Sequence, residues 1–262
     1  KQLWSNLHHY SCDPNHVWPS VLERIARVPE AFTNKVNKGV LRWVKDVIYV
    51  SDKPGKNDGK QGLKGKGYST NTLIDLIRNA KKSVVIQTPY LVTTDLSHRL
   101  FAEAKRRGVR IQILTNSLAT TDNIAAFRGY QLSRKHLLKA GVELFEFRPD
   151  AELRRMIMTS SFIQTIKELP VFGIHAKTMV VDENILVVGT FNLDPRSAHL
   201  NTECVALIPD ENLSEQVLRI LKLEMKPENS WQTTPKFNPD KKSPWGLRLK
   251  TWMSGIVPTS LL

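Results

Sequence analysis

The stretch from Ile174 to Asn192 holds the side chains best suited to chemistry on a phosphate diester. His175 offers an imidazole, Lys177 an ammonium, Thr190 a hydroxyl and Asn192 an amide. Side chains alternate between the two faces of an extended strand, so the side chains of His175 and Lys177 are expected on the same side. An imidazole can attack phosphorus, while the other groups hold the phosphate oxygens. The sequence therefore predicts a site for phosphodiester chemistry.

A return of the chain must bring the two ends of this stretch together. The turn-forming residues 182–184 are followed by the apolar run 185–188, which predicts a second buried strand. That strand ends at Gly189, whose missing Cβ permits close approach of the backbone. The hairpin places the hydroxyl and the amide beside the imidazole and the ammonium. Asp182, at the turn, is interpreted as a structural carboxylate that fixes the turn or supports the lysine strand.

An imidazole nucleophile needs an acceptor that holds its other nitrogen in the correct tautomer, and Glu203 is the candidate. Arg196 and Ser197 are candidates for substrate contact, although Asp194 and Arg196 could equally form a salt bridge within their loop. The candidate catalytic residues are thus His175, Lys177, Asp182, Asn192 and Glu203, and the candidate substrate-binding residues are Thr190, Lys177, Asn192, Arg196 and Ser197.

The composition favours an anionic partner. The chain has 262 residues and a formal net charge of +13, which suits nucleic acid, an acidic lipid surface or a phosphate substrate. The cysteines Cys12 and Cys204 are isolated, and no histidine cluster has metal-ligand spacing, so neither a metal nor another cofactor is predicted. No apolar run reaches the length of about 18 residues that a membrane-spanning helix needs.

The elements alternate along most of the chain. A helix is expected over residues 17–32 and a strand over 41–50. A Lys/Gly-rich tract at 52–70 indicates a solvated loop, which could also steer an anionic substrate. From Ser69 onward, helices and strands alternate, which predicts an α/β fold with helices packed on a mostly parallel central sheet. Within it, Thr94 is expected to cap a helix that Gly108 closes.

The pattern His-x-Lys-x4-Asp-x6-Gly-Thr-x-Asn resembles the signature of the phospholipase D superfamily. The Asp-x-Arg-Ser and Asn-x-Glu motifs within residues 194–203 resemble those of bacterial cardiolipin synthases more than those of the nucleases of the superfamily. Residues 87–90, 114–118 and 141–146 are similar to the same enzymes. The resemblance covers residues 41–262 and implies one phospholipase D-like half, in which Glu203 orients the motif histidine.

The resemblance also implies a reaction and a partner. The reaction is transfer of a phosphatidyl group between phospholipids through a phosphohistidine, which needs two imidazoles. The sequence contains the pattern once, so residues 1–40 are expected to be the tail of a preceding half with a connector, and 41–262 the carboxy-terminal half of a two-motif enzyme. A single-motif protein that dimerises is the alternative. We expect the protein to bind anionic phospholipids and to associate peripherally with the cytoplasmic face of the bacterial inner membrane.

Two other functions stay open. A phospholipase D-like phosphodiesterase or nuclease would use the positive charge for its substrate, but the Lys/Gly tract has almost no aromatic residues before Tyr68, so nucleic acid is disfavoured. The second open function is that of a catalytically incomplete half that only binds lipid. The tryptophans and basic residues of 244–262 suit a membrane boundary, although the same segment could pack on the sheet.

Overall fold

The structure, a computed structural model, describes residues 19–41, 43–56, 67–154, 171–256 and 258. From Asp46 onward, these residues form an α/β fold around one eight-stranded sheet. The helices are α1 (Pro19–Asn37), α2 (Tyr68–Asn79), α3 (Asp95–Arg106), α4 (Ile124–Lys139), α5 (Pro195–His199), α6 (Glu211–Glu224) and α7 (Trp245–Met253), with short 3-10 turns at Pro239–Lys242 and Ser254–Ile256. The strands are β1 (Ile48–Ser51), β2 (Ser83–Gln87), β3 (Arg110–Asn116), β4 (Glu143–Phe147), β5 (Thr178–Val181), β6 (Ile185–Gly189), β7 (Cys204–Pro209) and β8 (Ser230–Thr233).

The sheet is mixed, so the expectation of a mostly parallel sheet was wrong. Its order is β1-β7-β6-β5-β2-β3-β4-β8. Among the described strands, β2–β3 and β3–β4 pair in parallel, and the other five neighbouring pairs are antiparallel. Helices α3 and α4 form the crossovers between the parallel neighbours β2, β3 and β4, and parallel pairing needs such crossovers. A short turn joins β5 to β6, the 190–203 segment leads back to β7, and α6 carries the chain to β8 beside β4.

The β5–β6 turn has the geometry that such a hairpin requires. Asp182 and Glu183 have positive φ angles of 52° and 65°, and the amide of Asn184 donates to the carbonyl of Val181. Positive φ at both central positions is the arrangement that matches the twist of paired strands. The turn therefore fixes which residues of β5 and β6 face each other, with Val181 opposite Ile185.

Apolar side chains cover both faces of the sheet. One face packs against α2, α3 and α4 through residues such as Ile77, Phe101 and Leu137. The opposite face packs against α6 through Leu218 and Leu221. The Thr94 hydroxyl accepts from the amide of Ser97 and caps α3 as expected. Sheet strands with apolar residues on both sides must be covered by helices on both sides, which gives the three layers.

Two boundaries near the amino end differ from expectation. The predicted helix over 17–32 is α1, which continues to Asn37 and lies in the first of two units that divide between Lys45 and Asp46. The predicted strand over 41–50 is confined to β1 at Ile48–Ser51, because Asp46 adopts a positive φ of 58° that interrupts an extended chain. Among the described helices, none is long and apolar enough to cross a membrane.

Candidate functional site

One edge of the sheet collects the ends of six neighbouring strands. The carboxyl ends of β1, β2, β3 and β6 lie beside the amino ends of β5 and β7, because Gln87 pairs with Thr178, and Ser51 with Cys204. The segments around His175, Asn192 and Glu203 directly adjoin these ends. The structure thus brings the predicted site residues to one edge, with the exception of Asp182.

His175 is exposed and precedes β5, which begins only at Thr178. The backbone just before it is fixed by a side chain. Nδ2 of Asn116 donates to the carbonyl of Ile174 at 2.9 Å, and Oδ1 of Asn116 accepts from the amide of Ile174 at 2.7 Å. The ring of Tyr90 meets the His175 ring edge to face, with centroids 6.3 Å apart. The imidazole is therefore presented to solvent from a rigid backbone.

Lys177 is half-buried beside His175. Its Nζ donates to the carbonyl of His175 at 2.8 Å, and its side chain lines a narrow cavity beneath the site. Burial lowers the pKa of Lys177, while the carboxylates of Glu203, Asp122 and Asp194 act in the opposite direction. The ammonium therefore lies where an anion that enters the site would complete its solvation.

Gly189 allows a close approach of two backbone segments, as predicted, but the segment that approaches it is the start of β7. A Cβ atom at Gly189 would clash with the carbonyl oxygen of Cys204. The next residue, Thr190, donates its hydroxyl to Oε2 of Glu203, and Ser197 donates to Oε1 at 2.8 Å. Among the described contacts of the Glu203 carboxylate, which also include Asn201, none is to His175. Glu203 thus ties the ends of the 190–203 segment together.

The amide of Asn192 points into the protein at the same edge. Its Oδ1 is buried without a hydrogen-bond partner, while its backbone N–H donates to the Ser197 hydroxyl at 3.1 Å. Ser197 is fully buried, and Asp194 caps its helix α5 by accepting from the amide of Ser197. Ser197, which the sequence suggested for substrate contact, therefore lies in the framework of the turn. Arg196 is exposed, and the unpartnered Asn192 oxygen is suited to a donor on a bound molecule.

Asp182 lies at the opposite end of β5 from Lys177. Its carboxylate accepts hydrogen bonds from the backbone amides of Lys81, Lys82 and Ser83 at 2.7–3.0 Å. Burial alone would raise the pKa of Asp182, but these amides outweigh it and lower the pKa. Asp182 therefore anchors the β5–β6 turn to the start of β2 and does not reach the reacting groups.

A buried ion pair between Asp52 and Lys56, which the sequence did not predict, holds the backbone at Ser197 and Glu203. Nζ of Lys56 donates to Asp52 and to the carbonyl of Ser197, each at 2.7 Å, and both side chains are inaccessible to solvent. Asp52 also accepts from the backbone amide of Glu203 at 3.1 Å and from Ser69. Lys56 belongs to the tract expected to be a solvated loop, and nothing in its spacing marked it as buried. Residues 57–66 of that tract lie outside the described part.

Tyr90 and Asp122 form a second pair that the sequence analysis did not place in the site. The Tyr90 hydroxyl lies 3.1 Å from both carboxylate oxygens of Asp122. Burial and the Asp122 charge raise the pKa of Tyr90 to about 12. The sequence could have indicated both Tyr90 and Asn116 as site residues. Tyr90 follows β2 and Asn116 ends β3, and side chains at the carboxyl ends of parallel strands often line binding sites.

Comparisons with known proteins show which family this chain resembles. The family model described as cardiolipin synthase, phospholipase D-like domain, matches residues 73–223. Cardiolipin synthase C of Escherichia coli (strain K12) is 34% identical over 193 residues, which cover 71% of this chain and 38% of that protein. A cardiolipin synthase A of Buchnera aphidicola is 28% identical over 160 residues, which cover 60% of this chain and 28% of that protein.

A solved structure shows the same fold. The phosphatidylserine synthase of Haemophilus influenzae superposes with a TM-score of 0.56 at 15% identity, over 83% of this chain and 47% of that one. The chain therefore spans less than half the length of each of these relatives. The family model covers more than half of the chain, and the fold agrees with it. The chain belongs to the cardiolipin synthase, phospholipase D-like domain family.

Proposed function

We propose that this domain transfers a phosphatidyl group from one phospholipid to a hydroxyl of another. The observation that carries the proposal is the arrangement of an exposed His175 beside the half-buried ammonium of Lys177, at the sheet edge that also holds the side chain of Asn192. A nucleophile, a cation and an amide that lie together in this way suit attack on a phosphate diester.

The proposed reaction has two steps. A ring nitrogen of the first imidazole forms an N–P bond, the P–O bond to the leaving alcohol breaks, and a second imidazole gives that oxygen a proton. The second imidazole then takes the proton of the acceptor hydroxyl, whose oxygen attacks phosphorus and breaks the N–P bond. The Lys177 ammonium and the side-chain N–H groups of Asn192 donate to the phosphate oxygens in both steps. His175 supplies one of the imidazoles.

The second imidazole must come from another motif-bearing half. A preceding half of the same natural chain or a second copy of this domain would provide it. The sequence contains the His-x-Lys-x4-Asp pattern once, and one imidazole cannot attack phosphorus and protonate the leaving group in the same step. The site is therefore proposed to be completed by a partner half at the cytoplasmic face of a bacterial membrane, where the net charge of +13 favours anionic lipid.

The test uses the longest natural chain that contains these residues. It is incubated with phosphatidylglycerol in mixed micelles, alone and together with a zwitterionic phospholipid, and cardiolipin and released alcohol are measured. His175→Asn should abolish transfer, and the wild-type protein quenched in mid-reaction should carry a phosphatidyl group on one of its motif histidines. His136→Asn, an exposed histidine on α4, is the matched control. Near-normal turnover in His175→Asn would remove this residue from the mechanism.

The net charge of +13 favours one alternative, a phosphodiesterase acting on nucleic acid. The same preparations are therefore incubated with supercoiled DNA over a range of salt concentrations. Cleavage that depends on His175 and weakens steeply with salt, without any cardiolipin formed, would replace the transferase proposal.

A further inference from the structure

A second cleft lies between α2, α3 and the segment that follows β6. It encloses about 610 Å³, its open mouth included. Most of its lining is apolar, with Ile74 and Ile77 from α2, and Leu96 and Phe101 from α3. Leu96 is 42% exposed at the mouth, whereas Phe101 is buried at the base. The proposed catalytic chemistry uses none of these side chains.

The cleft continues into the candidate site. Leu73, Phe191 and Leu193 line both this cleft and the cavity that contains Lys177. Phe191 and Leu193 flank Asn192 in the sequence, and the amide of Val92 in the cleft wall donates to the carbonyl of Leu193 at 2.8 Å. A molecule that places a phosphate against Lys177 therefore has an apolar path directly beside that phosphate.

The polarity of the cleft changes along its length. Asp194 and His199, from the two ends of α5, line the part nearest the candidate site, together with Thr70, whose hydroxyl donates to the carbonyl of Ala198. The part between α2 and α3 is apolar apart from Thr94 and Ser97 at the helix start. A ligand that is polar at one end and a hydrocarbon at the other matches this gradient.

We propose that this cleft receives a fatty acyl chain of the phospholipid whose phosphate is bound at His175 and Lys177. The inference rests on the proposed function and adds a binding subsite to it. The apolar lining suits a polymethylene chain, and burial of its methylene groups supplies binding free energy that a soluble phosphate diester lacks. The cleft would thus hold a diacyl substrate with its phosphate at the reacting imidazole.

The first test detects the bound chain without any need for turnover. Phosphatidylglycerol with a photoreactive diazirine near the end of one acyl chain is irradiated with the protein in mixed micelles, and the adducts are mapped by mass spectrometry. Adducts are expected in peptides that contain residues 70–77 and 94–101. Leu96→Glu should lower their yield about fivefold, and Leu132→Glu, at a 51% exposed leucine of α4, should leave it unchanged. Adducts confined to other surfaces, or equal yields in both variants, would overturn the proposal.

The second test separates this subsite from the proposed reaction. The kcat/KM of the longest natural chain is measured with long-chain and with dihexanoyl phosphatidylglycerol. Leu96→Glu should lower the long-to-short ratio about fivefold, while Leu132→Glu keeps the wild-type ratio. A ratio that is unchanged in Leu96→Glu would contradict the acyl subsite but not the proposed reaction. Wild-type protein that turns over neither lipid, yet gives the expected adducts, contradicts the reaction and supports the subsite.

Discussion

The side-chain amide of Asn116 pairs with the backbone of Ile174 in the way that a neighbouring strand would. It donates to the Ile174 carbonyl and accepts from the Ile174 amide, at 2.9 Å and 2.7 Å, and it is almost fully buried. His175 follows immediately in the chain. A residue at the end of β3 thus sets the backbone from which the candidate nucleophile projects, although 58 positions separate Asn116 from Ile174.

Asn116→Asp should impair catalysis through this backbone contact. An aspartate can still accept from the Ile174 amide, but it places a carboxylate oxygen against the Ile174 carbonyl. Loss of the donor is expected to cost about 1–3 kcal/mol of stability and to lower kcat more than tenfold without a matching rise in KM. Thermal unfolding and steady-state kinetics measure the two effects. Asn212→Asp, at an exposed position on α6, is the control and should change neither.

Glu203→Gln tests whether Glu203 orients the imidazole, a role predicted from the sequence although no described hydrogen bond joins Glu203 to His175. The variant keeps one acceptor for the Thr190 and Ser197 hydroxyls but loses the negative charge. We expect the rate to fall by about 10²-fold, with a shift in the pH–rate profile, because a carboxylate stabilises an imidazolium that an amide does not. Glu215→Gln on α6 is the matched exposed control. An unchanged rate and profile in Glu203→Gln would remove the orienting role and leave only the hydrogen bonds within the segment.

The buried Asp52–Lys56 pair should behave as a unit. Asp52→Asn leaves the Lys56 ammonium buried without its counter-ion, which is expected to cost about 3–5 kcal/mol. The double variant Asp52→Asn/Lys56→Met removes both charges and should recover a substantial part of that loss. Denaturant unfolding of the two single variants and the double variant gives the coupling energy. Additive losses would show that the two charges do not depend on each other.

Glu224 should make the stability of the domain depend on pH. Burial raises the pKa of Glu224 to about 7, although a hydrogen bond from Gln87 acts in the opposite direction. A carboxyl whose pKa is higher in the folded state contributes stability at low pH, and that contribution is lost as pH rises through about 7. The free energy of unfolding should therefore fall by about 1–2 kcal/mol more in the wild type than in Glu224→Gln, between about pH 5 and about pH 8. Parallel pH profiles for the two proteins would contradict the assignment.

Helix α7 should contribute to membrane binding through its outer face. Leu247 and Thr251 pack inward, so part of the helix is core, while Trp245 and Trp252 are 73% and 67% exposed. Tryptophans beside basic residues suit the headgroup region of a bilayer. Trp245→Gln/Trp252→Gln should reduce flotation with phosphatidylglycerol vesicles several-fold. The control Leu132→Gln/Ile220→Gln removes two exposed apolar side chains from other helices, and equal flotation of both double variants would exclude a specific role for α7.

Local patterns predicted most of the helices and strands of this domain, and they indicated candidate residues whose roles stay predictions. The turn-forming residues 182–184 and the apolar run 185–188 predicted the β5–β6 hairpin, and Thr94 marked the start of α3. The spacing of His175, Lys177 and Asn192 indicated phosphodiester chemistry. These features depend on neighbours a few positions apart, where strand period, turn chemistry and helix capping act directly.

Only the tertiary structure decided how the strands are ordered and what holds the site. The antiparallel return of β5 beside β2 made the sheet mixed, and it brought the Asp182 carboxylate to the backbone amides at the start of β2. The contact of Asn116 with Ile174 and the burial of Lys56 beside Asp52 and Ser197 join residues that are distant in the sequence. Such contacts form because buried polar groups must find partners wherever the packed chain brings them together, and no local pattern specifies that meeting.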